Sequence, residues 1–444
     1  MSLTASLGLM AVFMVDFVDM IFISMLGKAE LAAAVGYAGA ILFFTSSFGI
    51  GMSIAAGVLV ARALGAGDPA EARMRATTAL IYGFGFGAVF AAVVWINLGG
   101  LVTLLGASGE THDLAVGYLR IIIPSIPLLL IGMVGGAILR ANGAAKRAMY
   151  ATIIGGLVNA ILDPILIFGF DLELTGAALA SVAARISIAA AALYPIVRHY
   201  GGFARPTRTE FSNDFRPIFA LALPAILTQL ATPVGQAYVT RAMAEFGEEA
   251  VAGMAIVGRL IPVAFGTIFA LSGAVGPIIG QNYGAGEFGR VRRAYLDGLL
   301  FTAIVVGVVS VLLYLLRGPI GALFALEGVS REIVYLFCGP LALAWFFNGM
   351  IFVSNAGFNN LGHPFYSTWT NWGRHTLGTV PFVMLFAAWF GAAGVLIGQA
   401  VGGVIFGLWS GWLAMRVIAR QEPPAPPQPF QRQARLMQLF SFRR

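Results

Sequence analysis

The chain has 444 residues, of which 59% are hydrophobic and 11% are charged, whereas an ordinary soluble domain carries about 25% charged residues. This composition excludes a soluble globular protein and predicts an all-α polytopic membrane protein. The single cysteine, Cys338, excludes a disulfide framework within the chain and a multi-cysteine metal or iron–sulfur site.

Apolar runs long enough to cross a bilayer as helices, about 20 residues each, occur twelve times between polar breaks. In the first half they span 2–26, 31–61, 76–99, 114–139, 148–169 and 176–198. In the second half they span 217–244, 250–280, 295–316, 332–358, 365–390 and 394–416. The first run is longer than the apolar core of a signal peptide and contains two aspartates, so we interpret it as a spanning helix. The sequence therefore predicts twelve transmembrane helices.

The net charge of +7 is explained by the places where the positive residues lie. They concentrate in the loops after the second, fourth, sixth and eighth helices, whereas the loops 106–113 and 170–176 carry no Lys or Arg. The exceptions are Lys28, Arg241, Arg317 and Arg331. By the positive-inside rule, both termini of this multi-pass protein lie in the cytoplasm, and we expect a bacterial inner membrane as its location. Because the charge follows the topology, we expect a lipid bilayer and no nucleic acid as a partner.

The two halves of the sequence repeat each other. The motif GAG begins at Gly65 after the second helix and at Gly284 after the eighth, 219 positions later. The same spacing separates LRANG, which ends at Gly143, from NNLG, which ends at Gly362. Because each repeat holds six helices, both halves have the same orientation and are related by a pseudo-twofold axis along the membrane normal. The sequence therefore predicts two six-helix lobes around a central cleft.

The repeat divides the chain into four segments. We predict an N-terminal six-helix lobe at 1–200, a cytoplasmic inter-lobe connector at 201–216 and a C-terminal six-helix lobe at 217–420. Two lobes of this kind can rock about the connector, which would open the cleft to one side of the membrane at a time, as in transporters that use alternating access. Residues 421–444 form a cytoplasmic tail with a stiff Pro-rich spacer, followed by basic and apolar residues that fit a short interfacial helix or an unstructured basic tail.

The fifth predicted helix contains NAILDPILIFG, from Asn159 to Gly169, with three residues that are unusual inside a membrane. A carboxylate at a helix centre costs roughly 2.5–3.5 kcal/mol, so Asp163 is a candidate functional residue. Asn159 lies four positions earlier on the same helical face, and Pro164 should bend the helix beside the acid. Because low dielectric penalises the anion, such a carboxyl can exchange protons. The structural alternative is an acid bonded to a neighbouring helix.

Other polar residues lie within the predicted helices. Asp16 and Asp19 are on the first helix, and we favour Asp19 as the second coupling carboxylate. Arg185 pairs with an acid or extends toward the membrane surface. The residues that we assign to the substrate cavity are Asp16, Ser181, Gln229, Gln236 and Asn348. The helices of the second half offer mainly amides and hydroxyls, so the acidic chemistry is concentrated in the first lobe.

Signatures of soluble enzymes are missing from the sequence. The chain lacks a Walker loop, and its four histidines are distant from one another. We therefore expect no enzymatic activity, no cofactor and no metal site, and we expect H+, or alternatively Na+, as a coupling ion.

Three motifs carry a resemblance to a known family. They are VDMIFISMLG at 18–27, the two GAG loops, and NAILDPILIFG followed by GAALAS at 176–181. Over nearly the whole chain, the sequence resembles the multidrug and toxic compound extrusion (MATE) family, in its DinF-like bacterial branch. The resemblance implies a twelve-helix antiporter that exports cationic, amphipathic compounds in exchange for H+ or Na+, and we expect a monomer. It places the first-lobe cation site of the family on Asp19, Asn159, Asp163 and Ser181.

The sequence departs from the family pattern in two respects. Val15 stands where some relatives have a tyrosine, one turn before the aspartate of the first helix. Uncharged residues around Thr232 and Asn348 replace the second-lobe carboxylates of the sodium-coupled branch, which favours protons over sodium. The resulting hypothesis is an antiporter in which protonation of Asp163 and Asp19 alternates with substrate binding.

The sequence is also compatible with other functions. A flippase for a lipid-linked oligosaccharide or another amphiphile would share the duplicated architecture, although such proteins usually have extra helices and a cationic central cavity. Export coupled to Na+ is a second alternative. A membrane receptor or scaffold would leave the buried acids unexplained, and failure of every ligand to cross a sealed vesicle would favour it.

Overall fold

The computed structural model describes residue 22 and residues 29–324 and 326–421. Every regular element in these residues is a helix. The predicted first helix, apart from Phe22, and the predicted tail, apart from Gln421, lie outside the described residues. The described helices therefore correspond to the second through the twelfth predicted spans.

The helices of the first half are joined by short connections. In chain order they are α1 (Ala29–Gly65), α2 (Pro69–Ile96), α3 (Leu98–Leu104), α4 (Gly109–Ile122), α5 (Ile126–Ala141), α6 (Ala145–Pro164) and α7 (Glu173–His199). A 3₁₀ turn at Ile123–Ser125 joins α4 to α5, so that the two form one interrupted membrane helix. A π-helical turn at Ile165–Gly169 extends α6.

The second half has the same plan. Its helices are α8 (Arg208–Ala244), α9 (Glu248–Gly284), α10 (Phe288–Leu323), α11 (Gly328–Leu336), α12 (Ala342–Asn360), α13 (Pro364–His375) and α14 (Val380–Ala419). A π-helical turn at Phe337–Leu341 joins α11 to α12. Ten segments of the described chain are long and apolar enough to cross a membrane, and the last of these, Pro364–Ala419, contains both of the final predicted helices.

The repeat extends from the sequence motifs to the helix boundaries. Helices α1, α2, α4 and α6 begin 219 positions before α9, α10, α11 and α13, respectively. Helices α1 and α5 also end 219 positions before α9 and α12. After α1 and α9, Gly67 and Gly286 have φ values of 77° and 74°. This left-handed conformation favours glycine, so the two GAG loops form the same turn.

The inter-lobe connection is shorter than the sequence indicates. Helix α8 begins at Arg208 rather than after 216, because Thr207 and Glu210 form a reciprocal capping box. The buried carboxylate of Asp214 then accepts hydrogen bonds from Arg75 and from Thr78 of α2, the second at 2.5 Å. These contacts fix the first turns of α8 against the N-terminal lobe, so only 200–207 remain as a non-helical connection.

The last two membrane helices pack through glycine. Helix α14 turns back at Gly391, whose φ of 59° and ψ of −138° are accessible mainly to glycine. Beyond this turn, Gly394, Gly398 and Gly402 face the backbone of Phe386, Phe382 and Gly378, respectively. A Cβ on Gly402 would overlap the carbonyl oxygen of Gly378. Small residues of this kind permit close backbone approach between membrane helices.

This packing gives a testable contrast between two glycines. Gly402→Ala should destabilise the protein by about 1–3 kcal/mol, because the methyl group would overpack the interface. Gly307→Ala in α10 meets no heavy atom within 4 Å and should be neutral or stabilising by up to about 1 kcal/mol through helix propensity. Thermal unfolding of the purified proteins in detergent measures both changes. Equal stability of the two variants would contradict the close approach at Gly402.

Candidate functional site

The predicted pair of the fifth membrane helix is formed in the structure. The side-chain amide of Asn159 donates a hydrogen bond of 2.8 Å to Oδ2 of Asp163. Asp163 is 0% exposed and Asn159 is 7% exposed. The four-residue spacing therefore places an amide donor beside a carboxyl that is sealed within the N-terminal lobe, where a charge needs hydrogen-bonding partners.

The helix changes form directly after this pair. Helix α6 ends at Pro164, and the next turn, Ile165–Gly169, is π-helical. Proline removes a backbone donor and crowds the preceding turn, and π-turns within helices occur frequently at functional sites. Helix α7 approaches this turn closely, because a Cβ on Gly176 would lie 2.7 Å from the carbonyl carbon of Leu166.

The first membrane helix is represented by one described side chain. Phe22 contacts Phe168 of the π-helical turn edge to face, with ring centroids 6.0 Å apart. Asp19 precedes Phe22 by three positions in the sequence. Asp16 and Asp19 themselves lie outside the described residues, so their predicted roles stay predictions.

The other polar residues of the N-terminal lobe are on α7. Ser181 is half-buried on this helix, which packs along α6. One turn later, Arg185 points inward and donates to Oγ of Ser125 at 2.9 Å and to the carbonyl of Ile122 at 3.2 Å. Arg185 therefore binds the 3₁₀ turn between α4 and α5, where Pro124 interrupts the regular helical bonding.

In the C-terminal lobe, the three predicted cavity residues have different surroundings. Gln236 of α8 accepts a hydrogen bond of 2.9 Å from Gln399 of α14. Asn348 lies on α12 beside Gly403, and its Oδ1 is buried without a hydrogen-bond partner. Gln229 is half-buried on α8. Gln236 is therefore bonded to Gln399, which is not among the predicted cavity residues, and no hydrogen bond links Gln229, Gln236 and Asn348 to one another.

A buried histidine packs against α8 at the residue before Gln236. His375 ends α13, is 3% exposed, and packs against Gly235 of α8, where a Cβ would overlap the ring. Neither ring nitrogen has a hydrogen-bond partner. In the sequence, His375 could have been found as part of the polar group RHT inside a long apolar run. Gln399 could have been found as a lone amide among glycines and aliphatic residues.

Several other polar contacts in the described C-terminal lobe join uncharged side chains. Thr228 contacts Thr368 at 3.3 Å between hydroxyl oxygens. Asn371 donates to the side chain of Asn355 at 3.3 Å, and Ser367 donates to that of Asn359 at the same distance. The two lobes thus share a backbone plan but differ in chemistry, with a carboxyl in the first and amides, hydroxyls and a histidine in the second.

Comparison with known proteins agrees with this architecture. The MatE family model matches residues 5–165 and 224–378. The FAD transporter of Shewanella oneidensis is 28% identical over 434 residues, which cover 94% of this chain and 93% of that protein. The multidrug export protein MepA of Staphylococcus aureus is 28% identical over 300 residues, which cover 66% of this chain and 65% of that protein.

Solved structures show the same fold. A mutant of the Vibrio cholerae MATE transporter VcmN superposes with a TM-score of 0.90 at 25% identity, over 95% of this chain and 96% of that one. A MOP superfamily transporter from Pyrococcus furiosus superposes with a TM-score of 0.87 at 22% identity, over 95% of each chain. The predicted fold of twelve helices in two lobes is thus confirmed, and the chain belongs to the MatE family of membrane transporters, which are not enzymes.

Proposed function

We propose that this protein is a secondary antiporter that exports cationic, amphipathic compounds in exchange for H+, with Asp163 as a proton-coupling residue. Membership of the MatE family gives efflux of drugs or toxins as the general activity. The observation that supports proton coupling is the fully buried Asp163 carboxyl with its Asn159 donor.

Two opposing effects act on this carboxyl. Burial in low dielectric disfavours the anion, whereas the amide of Asn159 donates to it and favours the anion. Access of water or of a cation to the site changes this balance, so the proton can leave on one side of the membrane and return on the other. Coupling requires that proton and substrate bind the alternating states with unequal affinity.

The neighbouring elements supply the remaining parts of this proposal. Asp19 is the second coupling carboxylate, and Asp16 and Ser181 belong to the substrate cavity. The π-helical turn after Pro164 allows the helix to change its bend when Asp163 is neutralised. Gln229, Gln236 and Asn348 line the cavity from the C-terminal lobe, where uncharged polar groups favour a proton over Na+ as the coupled ion.

A matched pair of aspartates tests proton coupling. Asp163→Asn keeps the shape of the side chain but cannot titrate, so transport driven by a pH gradient should fall by about a hundredfold or more, the lower end of the range for loss of an acid–base group. Asp297→Asn, at an exposed position of α10, should retain transport. Uptake of a fluorescent organic cation such as ethidium into proteoliposomes measures both. Undiminished transport by Asp163→Asn would refute the assignment.

A second candidate function is export of an anionic, planar compound. The FAD transporter of Shewanella oneidensis aligns with 94% of this chain, and FAD carries two phosphate groups on a flavin. In the described residues, the guanidinium of Arg140 lies between Gly136 of its own helix and Gly273 of the opposite lobe, and no salt bridge joins it to an acidic side chain. A guanidinium between the lobes is suited to bind a phosphate.

Transport of two compounds, flavin nucleotide and ethidium, distinguishes the two candidate functions. If the substrate is anionic, flavin nucleotide should be transported, and Arg140→Gln should reduce its transport by roughly tenfold or more, as expected for one lost charge-assisted contact. Any transport of ethidium should be the same in Arg140→Gln as in the parent protein. Arg147→Gln is the control, because Arg147 stacks on Tyr200 within its own lobe at 5.4 Å. Transport of ethidium but not of flavin nucleotide by the parent protein would exclude the anionic candidate.

A further inference from the structure

The two GAG segments meet each other across the boundary between the lobes. A Cβ on Gly65 would overlap the carbonyl oxygen of Gln281, and a Cβ on Gly284 would overlap the carbonyl oxygen of Arg62. Gly284 follows Gly65, and Gln281 follows Arg62, by the same 219 positions. The ends of α1 and α9 are therefore in backbone contact, in a symmetric arrangement that any side chain at either glycine would disturb.

The side chains at these positions also cross between the lobes. Arg62 donates from Nε and Nη2 to the carbonyl of Asn360, at 3.1 and 2.8 Å, and from Nη2 to that of Asn359 at 3.3 Å. Gln281 donates from Nε2 to the carbonyl of Ala141 at 2.7 Å. Asn360 and Ala141 end α12 and α5, again 219 positions apart. Each lobe thus supplies a donor to the last carbonyls of a helix in the other.

We propose that these two contacts, Arg62 with Asn360 and Gln281 with Ala141, form a paired latch that holds one end of the inter-lobe cleft closed and opens in each transport cycle. The latch lies at the end that carries the arginine-rich loops, which is cytoplasmic by the positive-inside rule. Arg62 and Gln281 are therefore positioning residues, because they set which side of the cleft is open without touching the substrate.

The chemistry of the acceptors suits a reversible closure. The last carbonyls of a helix have no donor within the helix, so a donor from the other lobe satisfies them, and the negative end of the helix favours the Arg62 cation. The acceptors are neutral, so opening the latch does not leave a buried carboxylate unpaired, as breaking a buried ion pair would. Water can replace the lost donors, since a hydrogen bond contributes little net free energy.

The two halves of the latch are unequal. Arg62 makes three hydrogen bonds and stacks over Tyr283 at 5.2 Å, whereas Gln281 makes one. We therefore expect Arg62 to carry most of the closing free energy. Because glutamine performs the equivalent role at 281, Arg62→Gln should retain part of the function that Arg62→Ala loses.

Distance measurements between the two GAG loops test the latch without substrate. Cys338 is the single cysteine and is buried, so Cys338→Ala provides a background for spin labels at Ala66→Cys and Ala285→Cys, both exposed. Relative to this parent, Arg62→Ala should shift the ratio of closed to open populations by roughly tenfold toward longer distances. Arg62→Gln should give an intermediate shift. Arg147→Ala, whose side chain stacks within one lobe, should give none.

A second pair of variants tests the backbone contact itself. Gly65→Ala should separate the loops through its overlap with Gln281, whereas Gly85→Ala, which meets no heavy atom within 4 Å, should leave the distances unchanged. Gln281→Leu keeps the side-chain volume and tests the latch if Arg62→Ala folds poorly. Distance distributions in Arg62→Ala and Gln281→Leu that match the parent would overturn the latch. Because the experiment uses no substrate or ion gradient, it is independent of proton coupling.

Discussion

The free-energy cost of holding a carboxyl inside the membrane governs the organisation of the N-terminal lobe. Asp163 is fully buried, and its neighbour on the same helical face, Asn159, supplies a donor. The helix becomes π-helical at Ile165, two residues after Asp163, and α7 packs tightly against this turn through Gly176. A buried acid, its donor and a deformable turn are therefore contiguous in the chain, which links protonation to helix shape at one place.

The two lobes share a backbone plan, but their polar side chains differ. Four helix starts and two helix ends of the N-terminal lobe recur 219 positions later, yet α6 runs unbroken through Asn159, whereas its counterpart breaks after His375. At this break the backbone of Gly378 is in close contact with Gly402 of α14. The position of the C-terminal lobe that matches Asp163, 219 residues later, is Phe382, so the carboxyl has no counterpart there.

Glycine determines how closely the helices approach, and this applies both within a lobe and between lobes. Within the hydrocarbon core, apolar side chains gain little from contact with one another, so packing of small residues provides much of the association energy. The same device at Gly65 and Gly284 lets the lobes meet through backbone atoms. Hydrogen bonds to neutral carbonyls then close the contact, and such bonds are weak enough to exchange with water during a transport cycle.

The sequence by itself determined the membrane class, the eleven spans that the structure describes, the 219-residue register of the repeat and the Asn159–Asp163 pair. These features depend on composition, on hydrophobic length and on a spacing of four residues, all of which are local. The tertiary structure alone decided that Arg62 bonds Asn360, 298 positions away, that Arg185 binds the turn at Ser125, and that His375 is buried against Gly235. These contacts join helices distant in the chain, so no local pattern specifies them.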